Sequence, residues 1–409
     1  MLKSLLETCD ITTGKIDANA AEAYGKYPFF TCAPEPLRIN HYAFDDNVIL
    51  LAGNNAQGNF HITRFNGKFN AYQRTYVITA KKNYDIDYLK YSIELSLNHL
   101  KKVAQGSQTK FLTMEILRQF EVRSIPYNEQ KEQVSCLVAI DDKIALNNRV
   151  NATLEAMAKT LYDFWFVQFD FPDEKGRPYK TSGGKMVYNE DFGREIPAGW
   201  EVVNIGSFVK EAKNGDWGSE QPSKIHTYQV ICLRGADFPF INGSVISEPP
   251  IRFIDSNHVD RILEDGDIII EISGGSPTQS TGRACYINDE VLKRFDKSII
   301  TSNFCKGLKM NNKEDMFFFF LTWEKLYENN VLFNFEGKTT GIKNLLFDVA
   351  LDSIKIPCPD HVLLNRFNQI VMTLFQMVQK NIQANCHLSA LRDWLLPMLM
   401  NGQVGFRAK

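Results

Sequence analysis

Residues 106–126 read GSQTKFLTMEILRQFEVRSIP and residues 337–357 read GKTTGIKNLLFDVALDSIKIP, an ungapped match at an offset of 231 (337 − 106). A helical pattern follows each copy. With three more residues of offset, NATLEAMAKTLY from Asn151 aligns with NCHLSALRDWLL from Asn385. A chain that repeats as domain, helix, domain, helix presents two similar surfaces at a set spacing. That is the geometry of a ruler rather than of a single catalytic cleft.

Working outward from the repeat, short apolar runs bounded by turn residues fill the first domain: PFFT at 28–31, NVILLA at 47–52, GNFHITRF at 58–65 and TYVIT at 75–79. YDIDYLKYSIELSLNHLKKV then reads as a helix, and FNGKF around Gly67 as an Asn-Gly hairpin turn. The second domain repeats the plan. YQVICL at 228–233 parallels YPFFTC at 27–32, LEDGDIIIEIS at 263–273 parallels FDDNVILLAG at 44–53, and the helical MFFFFLTWEKLYENN precedes the second GKTTG. The expected fold class is α/β (α+β). Two similar globular domains lie over 1–127 and 197–358, with long helices over 128–170 and 359–409 and a turn-rich connector over 171–196.

A heptad count supports helix pairing. Phe367, Leu374, Asn381, Leu388 and Leu395 recur every seven residues, with Ile370, Met377, Ala384 and Leu391 three positions later. In the first helix Ile140, Asn147, Leu154 and Leu161 match the first set, and Cys136, Val150 and Met157 the second, with Lys143 breaking it. This predicts an antiparallel coiled coil whose midpoint asparagines, Asn147 and Asn381, bond across the seam and fix its register. A helix of about 35 residues spans about 50 Å, somewhat more than the roughly 34 Å of a turn of B-DNA.

The chain has 409 residues, 46 basic and 48 acidic, for a net charge of −2. Residues 1–127 carry 15 basic and 12 acidic side chains (+3), and residues 201–359 carry 17 and 22 (−5). A nucleic-acid binder of this charge must rely on local patches, or on a basic partner for most phosphate contacts. The eight cysteines form no CxxC pair and the seven histidines no HxxxH, so no metal site, cofactor or disulfide framework is expected. No apolar run reaches membrane-spanning length, and the N-terminus lacks a signal-peptide core, so a soluble cytoplasmic protein is expected.

Catalytic readings fail. Glu336-Gly337-Lys338 resembles a nuclease triplet or a phosphate loop, but Leu332 stands where a P-loop needs glycine, and the sister copy at Gln105–Ser107 has neither carboxylate nor lysine. No methyltransferase motif is present, and Glu248-Pro249-Pro250 reads as a loop. No catalytic residue is expected.

IPYNEQKEQV at 125–134, LEAMAKTLYDFWFVQFD at 154–170 and the connector closing on EIPAGWEV at 195–202 resemble the specificity (S) subunits of type I restriction–modification systems. The resemblance covers nearly the whole chain in the family's order. Two departures stand out: the first domain has no Gly-Trp opener, and Pro359-Asp360 replaces the Glu-Gln pair after the second Ile-Pro. The resemblance implies a non-catalytic DNA-reading subunit, each domain recognising one half of an interrupted site in double-stranded DNA. The helices would be spacer and docking surface for two methyltransferase subunits, and restriction/translocase subunits would join for cleavage. An orphan DNA-binding protein on the same scaffold, or a coiled-coil interaction scaffold, are the alternatives.

Within that reading, the loop SGGSPTQSTGR offers Ser276, Thr278, Gln279, Ser280, Thr281 and Arg283 as DNA contacts. Its counterpart in the first domain, residues 53–74, offers Asn54, Asn55, Gln57, Arg64, Lys68, Gln73 and Arg74. Lys81, Lys82, Lys101, Lys102, Arg234, Lys306 and Lys309 are candidates for tracking phosphates. Trp165, Phe166, Phe169 and Phe171 read as core packing or as a docking patch for a methyltransferase.

Overall fold

The computed structural model describes residues 1–56, 58–106, 109–243, 249–274, 279–337 and 342–405. The chain divides into two units, one of residues 1–144 with 388–409 and one of residues 145–387. Among the described residues no helix is long and apolar enough to cross a membrane.

In the first unit six strands pair in the order Cys9–Thr13, Thr75–Ala80, Phe44–Ala52, Ile62–Ala71, Tyr27–Phe30 and Leu37–Ile39. The β period of two divides the apolar run of the central strand between two cores. Val48 and Leu50 join Phe30, Phe69 and Val77 on one face, while Ile49 and Leu51 join Ile78, Tyr88 and Leu89 on the other. The Asn-Gly turn expected at Gly67 is not there. Gly67 lies inside the strand Ile62–Ala71, opposite Asp46, with φ 131°. Reversal at that point would pull Phe65 and Phe69 out of the core in which they pack edge to face, with ring centroids 5.5 Å apart. The expected helix over 84–103 is two helices, Ile86–Leu95 and Leu97–Val103, meeting at Ser96.

The second unit repeats this connectivity. A four-stranded sheet runs Val209–Asn214, Cys305–Met310, Ile268–Glu271, Ala284–Tyr286, and a three-stranded one Ile251–Asp255, His226–Leu233, Ile299–Thr301. Each strand has its counterpart in the first unit, except that Ala284–Tyr286 and Ile299–Thr301 together replace the single strand Ile62–Ala71. The likeness extends to a mixed pairing. Tyr27–Phe30 runs parallel to its neighbour through Phe29 and Asn70, as His226–Leu233 does through Ile231 and Ile299. The structural offset, however, is not that of the ungapped match. Helix Phe347–Ser353 starts 233 residues after helix Met114–Gln119 (347 − 114), and helix His361–Met400 starts 234 after Tyr127–Tyr162 (361 − 127). The extra residues enter ahead of the short helix, so the sequence match preserves the order of elements but slips their register.

Two residues of the Glu129-Gln130 pair behave differently. Glu129 lies in the first turn of the helix Tyr127–Tyr162. Gln130 is fully buried, accepts from the Asp85 N–H at 2.8 Å, and donates to the carbonyls of Asn83 and Ile125. It clamps the turn at Asn83, whose φ is 75°. Counting 234 residues on, the second copy has Leu364, buried in an apolar core.

The buried stripe of both long helices sits one residue from the heptad expectation. The first set holds at Ile140, Asn147, Leu154 and Phe367, which are buried. Leu161, Leu374, Asn381, Leu388 and Leu395 are half-buried, whereas Phe375, Ile382 and Leu396, one position on, are buried. The second set does not: Val150, Met157, Ile370, Met377 and Leu391 are exposed. Burial falls instead four positions after the first set, at Asn151, Ala158, Val371 and Val378. Offsets of three and four flank the same helical stripe, and hydropathy favoured the wrong flank because the correct one carries Asn151, Asn385 and Arg392.

Those polar positions hold the partners. Within the second unit Asn147 Nδ2 donates to Asn385 Oδ1 and Asn381 Nδ2 donates to Asn151 Oδ1, each at 2.8 Å, while Asn385 Nδ2 donates to Asn148 Oδ1. The helices run antiparallel through these pairs. Asn147 and Asn381 do not meet; each bonds an asparagine one turn from the other. Replacing Asn151 alone with leucine should cost about 1–3 kcal/mol, because the Asn381 amide then loses its partner. Replacing both with leucine should recover most of it. A double-mutant cycle in urea measures the difference.

Candidate nucleic-acid interface

In the second unit the turns at one end of the sheet enclose a cavity of about 410 Å³ lined by Trp217, Arg234–Ala236, Glu271, Ser273 and Ser302–Phe304. Local chemistry builds its walls. Gly215 lies so close to the strand edge that a Cβ there would collide with the carbonyl oxygen of Ser302. Gly14 stands in the same relation to Ala71 in the first unit, so both copies need glycine at this turn. Asp216 accepts from the Gly218 N–H at 2.9 Å and lies 2.7 Å from His258 Nδ1, fixing the turn that carries Trp217. Burial pushes the Asp216 carboxyl up, but the hydrogen bonds from His258 and Gly218 outweigh it and hold the group below the usual carboxylate range. The Arg252 guanidinium lies 3.9 Å from the Trp217 ring centroid and pairs with Glu220 at 2.9 Å.

The glycine-rich loop is built differently from its sequence reading. Ser276 and Thr278 lie outside the described residues. Thr281 is buried and donates both its N–H and its hydroxyl to Glu336, which also pairs with Lys343 at 3.2 Å. Glu336 is thus a structural anchor. Ser280 is buried as well. The Arg283 guanidinium bonds both Glu271 oxygens, at 2.8 and 2.6 Å, so one edge of its fork is occupied. Gln279 remains exposed, with its amide 3.3 Å from the Tyr327 hydroxyl.

In the first unit the candidates also separate. Arg64 is taken up internally, by Asp87 at 2.9 Å and by the carbonyls of Val48 and Phe65. Asn54 and Asn55 form a short strand paired with Lys110–Phe111, and Asn55 also accepts from the Asn59 N–H. Gln57 lies outside the described residues. Lys68 is exposed, 4.7 Å from the Tyr42 ring centroid and 4.0 Å from Asp45; first Tyr42 and then Asp45 raise its pKa. Gln73 and Arg74 are exposed on the turn leading into Thr75–Ala80. The Gly53 N–H donates to the Arg74 carbonyl at 2.9 Å, as the Ile272 N–H donates to that of Phe304. Gln73 and Arg74 therefore occupy the positions of Asn303 and Phe304. Sequence reading missed the latter pair and Trp217; the register of Thr75 against Ala52 and of Cys305 against Glu271 would have found them.

Several proposed phosphate trackers have internal partners: Lys81 bonds the Leu6 carbonyl, Lys101 bonds Asn59, and Lys309 pairs with Glu264 at 2.8 Å. Trp165, Phe166 and Phe169 are core residues, with Phe166 edge-on to Phe367 at 4.7 Å and Phe169 edge-on to Trp200 at 5.4 Å. Burial pushes the thiols of Cys9, Cys232 and Cys305 up to about 12.

Comparison with known proteins agrees with this architecture. Residues 1–156 match the model of the type I restriction modification DNA specificity domain. The chain is 36% identical over 160 residues to the type I restriction enzyme EcoDI specificity subunit of Escherichia coli, covering 39% of this chain and 34% of that one. It is 24% identical over 320 residues to the MjaIX specificity subunit of Methanocaldococcus jannaschii, covering 75% and 66%. The matches thus span about a third and just under two thirds of those relatives. A crystal structure of a type I restriction-modification system S subunit from M. genitalium aligns over 100% of this chain and 96% of that one, with a TM-score of 0.57 at 14% identity. Residues 1–156 are thus similar to the type I restriction modification DNA specificity domain, and the chain shares its fold with the M. genitalium S subunit.

Proposed function

We propose that this protein is the DNA-reading subunit of a type I restriction–modification complex, each unit recognising one half of an interrupted double-stranded site. One observation carries the reading: the strand order of the matched specificity domain recurs in the second unit, while the exposed residues at the matching sheet end differ. A shared scaffold with different side chains suits two half-sites of different sequence.

Asn54, Lys68, Gln73, Arg74 and Gln279 are the DNA contacts this reading retains from the sequence candidates. The protein performs no chemistry of its own and acts in the cytoplasm. Its long helices are spacer and docking surface for two methyltransferase subunits, which supply the catalytic site and, given the net charge of −2, most phosphate contacts. Restriction/translocase subunits complete the complex.

Methylation-sensitive sequencing of the host genome, with and without the gene, tests the proposal. Loss of methyladenine from one interrupted motif is the expected result. An unchanged methylome in a host whose methyltransferase is active would favour an orphan DNA-binding protein.

A further inference from the structure

We propose, resting on that reading, that Arg234 is a specificity-determining residue which reads the edge of a guanine in the half-site recognised by the second unit. The Asp237 carboxylate, fully buried, accepts from the Arg234 backbone N–H, from Nε and from Nη2, each at 2.9 Å. A guanidinium gripped along its Nε–Nη2 edge has few rotamers left, and its Nη1–Nη2 edge is the one that matches two neighbouring acceptors. In the major groove that acceptor pair is O6 and N7 of guanine. The Arg234 side chain is 42% exposed, so this edge is open to a ligand while its anchor is not.

The surroundings favour a base edge over a phosphate. Phosphate contacts need only a mobile cation, whereas Arg234 is fixed on the wall of a cavity shared with Trp217, Asn303 and the 55%-exposed Phe304. The Asn303 amide supplies a second donor–acceptor pair of the kind that matches adenine. Arg283, the sequence candidate nearby, has its own Nε–Nη2 edge on Glu271 but is only 27% exposed. In the first unit the Phe30 carbonyl accepts from the Tyr72 N–H as the Leu233 carbonyl does from the Ser302 N–H, so Thr31 stands in the place of Arg234 and the two copies differ at this point.

The experiment uses the complex of the full chain with its methyltransferase subunits on a library of duplexes randomised over the recognised motif. Arg234→Gln and Arg234→Lys should each lower discrimination for guanine at one position by about 10- to 100-fold, leaving the other half-site unchanged. Lysine keeps the charge but lacks the fork, so its failure to rescue separates edge reading from simple electrostatics. Asp237→Asn should give a smaller loss at the same position. Thermal midpoints of the free variants, unchanged from wild type, exclude loss of folding; if Arg234→Gln does not fold, Arg234→Lys carries the test. Weakening that is uniform across sequences, with the salt slope reduced by about one, would assign Arg234 to a phosphate and overturn the inference. So would unaltered base preference. A wild-type complex with no sequence preference would instead refute the DNA-reading role itself.

Discussion

Replacing Asp141 with alanine is expected to destabilise the first unit by about 3 kcal/mol, lowering its unfolding midpoint by roughly 6–12 °C. Asp141 joins three elements of that unit. It accepts from Lys90 Nζ and the Tyr91 hydroxyl at 2.7 Å, both on the helix Ile86–Leu95, and from Arg392 Nη1 at 3.1 Å on the second long helix. Lys90 is 9% exposed and Arg392 24%, so removing the carboxylate leaves two largely desolvated cations without their shared partner. Glu94, 2.9 Å from Lys90, softens the loss.

The same site gives a pH signature. Burial alone would raise the Asp141 carboxyl, but Lys90, Tyr91 and Arg392 together hold it below the ordinary carboxylate range. A depressed folded-state pKa contributes stability that is complete above the unfolded value, about 3.9, and lost as pH falls through the folded one. The stability gap between wild type and Asp141→Asn should therefore narrow below about pH 4. Chemical denaturation between pH 3 and 7 checks this. A gap independent of pH would mean that shape, not charge, holds the junction.

In the second unit the largest effect is expected at Lys213 and Asp267. Their side chains are 4% and 3% exposed, and Lys213 Nζ lies 2.8 Å from Asp267 Oδ2 and 2.7 Å from the Ile262 carbonyl. Asp267 also accepts from the Glu264 N–H at 2.9 Å. Burial pushes the Asp267 carboxyl up against the opposing pull of Lys213. Lys213→Met, which strands that carboxylate, should cost about 3–5 kcal/mol. Adding Asp267→Leu should return most of the loss, since two apolar groups of similar volume need no desolvation of charge. Lys213 is the penultimate residue of the strand that leads into Gly215 and Trp217, so under the proposed DNA-reading role the single variant should also weaken discrimination in the half-site of the second unit. Calorimetry of both variants, with the duplex-library assay, measures the two effects. Equal stability of the single and double variants would refute the charge argument.

What was legible in the sequence follows from periodicity. Alternating and heptad patterns record which face of an element is apolar, and that gave the strands, the long helices and the internal repeat. The specificity-subunit likeness rested instead on three sequence motifs, at 125–134, 154–170 and 195–202. Three things needed the folded chain. The long helices align at an offset of 234 in sequence and structure alike. The slip of the short helices at Met114 and Phe347 from 231 to 233 shows only in the fold, because an insertion ahead of a short helix leaves an ungapped match almost as good. The helix seam is lined on one flank by Asn151, Asn385 and Arg392, whose polarity hides burial from any hydropathy count.

The candidate site diverged most. A polar side chain in a loop has the same sequence signature whether it faces DNA or a buried partner. Arg64, Thr281 and Arg283 found internal partners, in Asp87, Glu336 and Glu271. Arg234, three residues ahead of its carboxylate, was visible as a charge but not as a fixed fork. The sequence by itself determined the repeated architecture, since local apolar periodicity sets it, and its motifs at 125–134, 154–170 and 195–202 carried the resemblance to specificity subunits. Only the tertiary structure decided which polar groups remain open to a ligand, because that depends on strands brought together from distant parts of the chain.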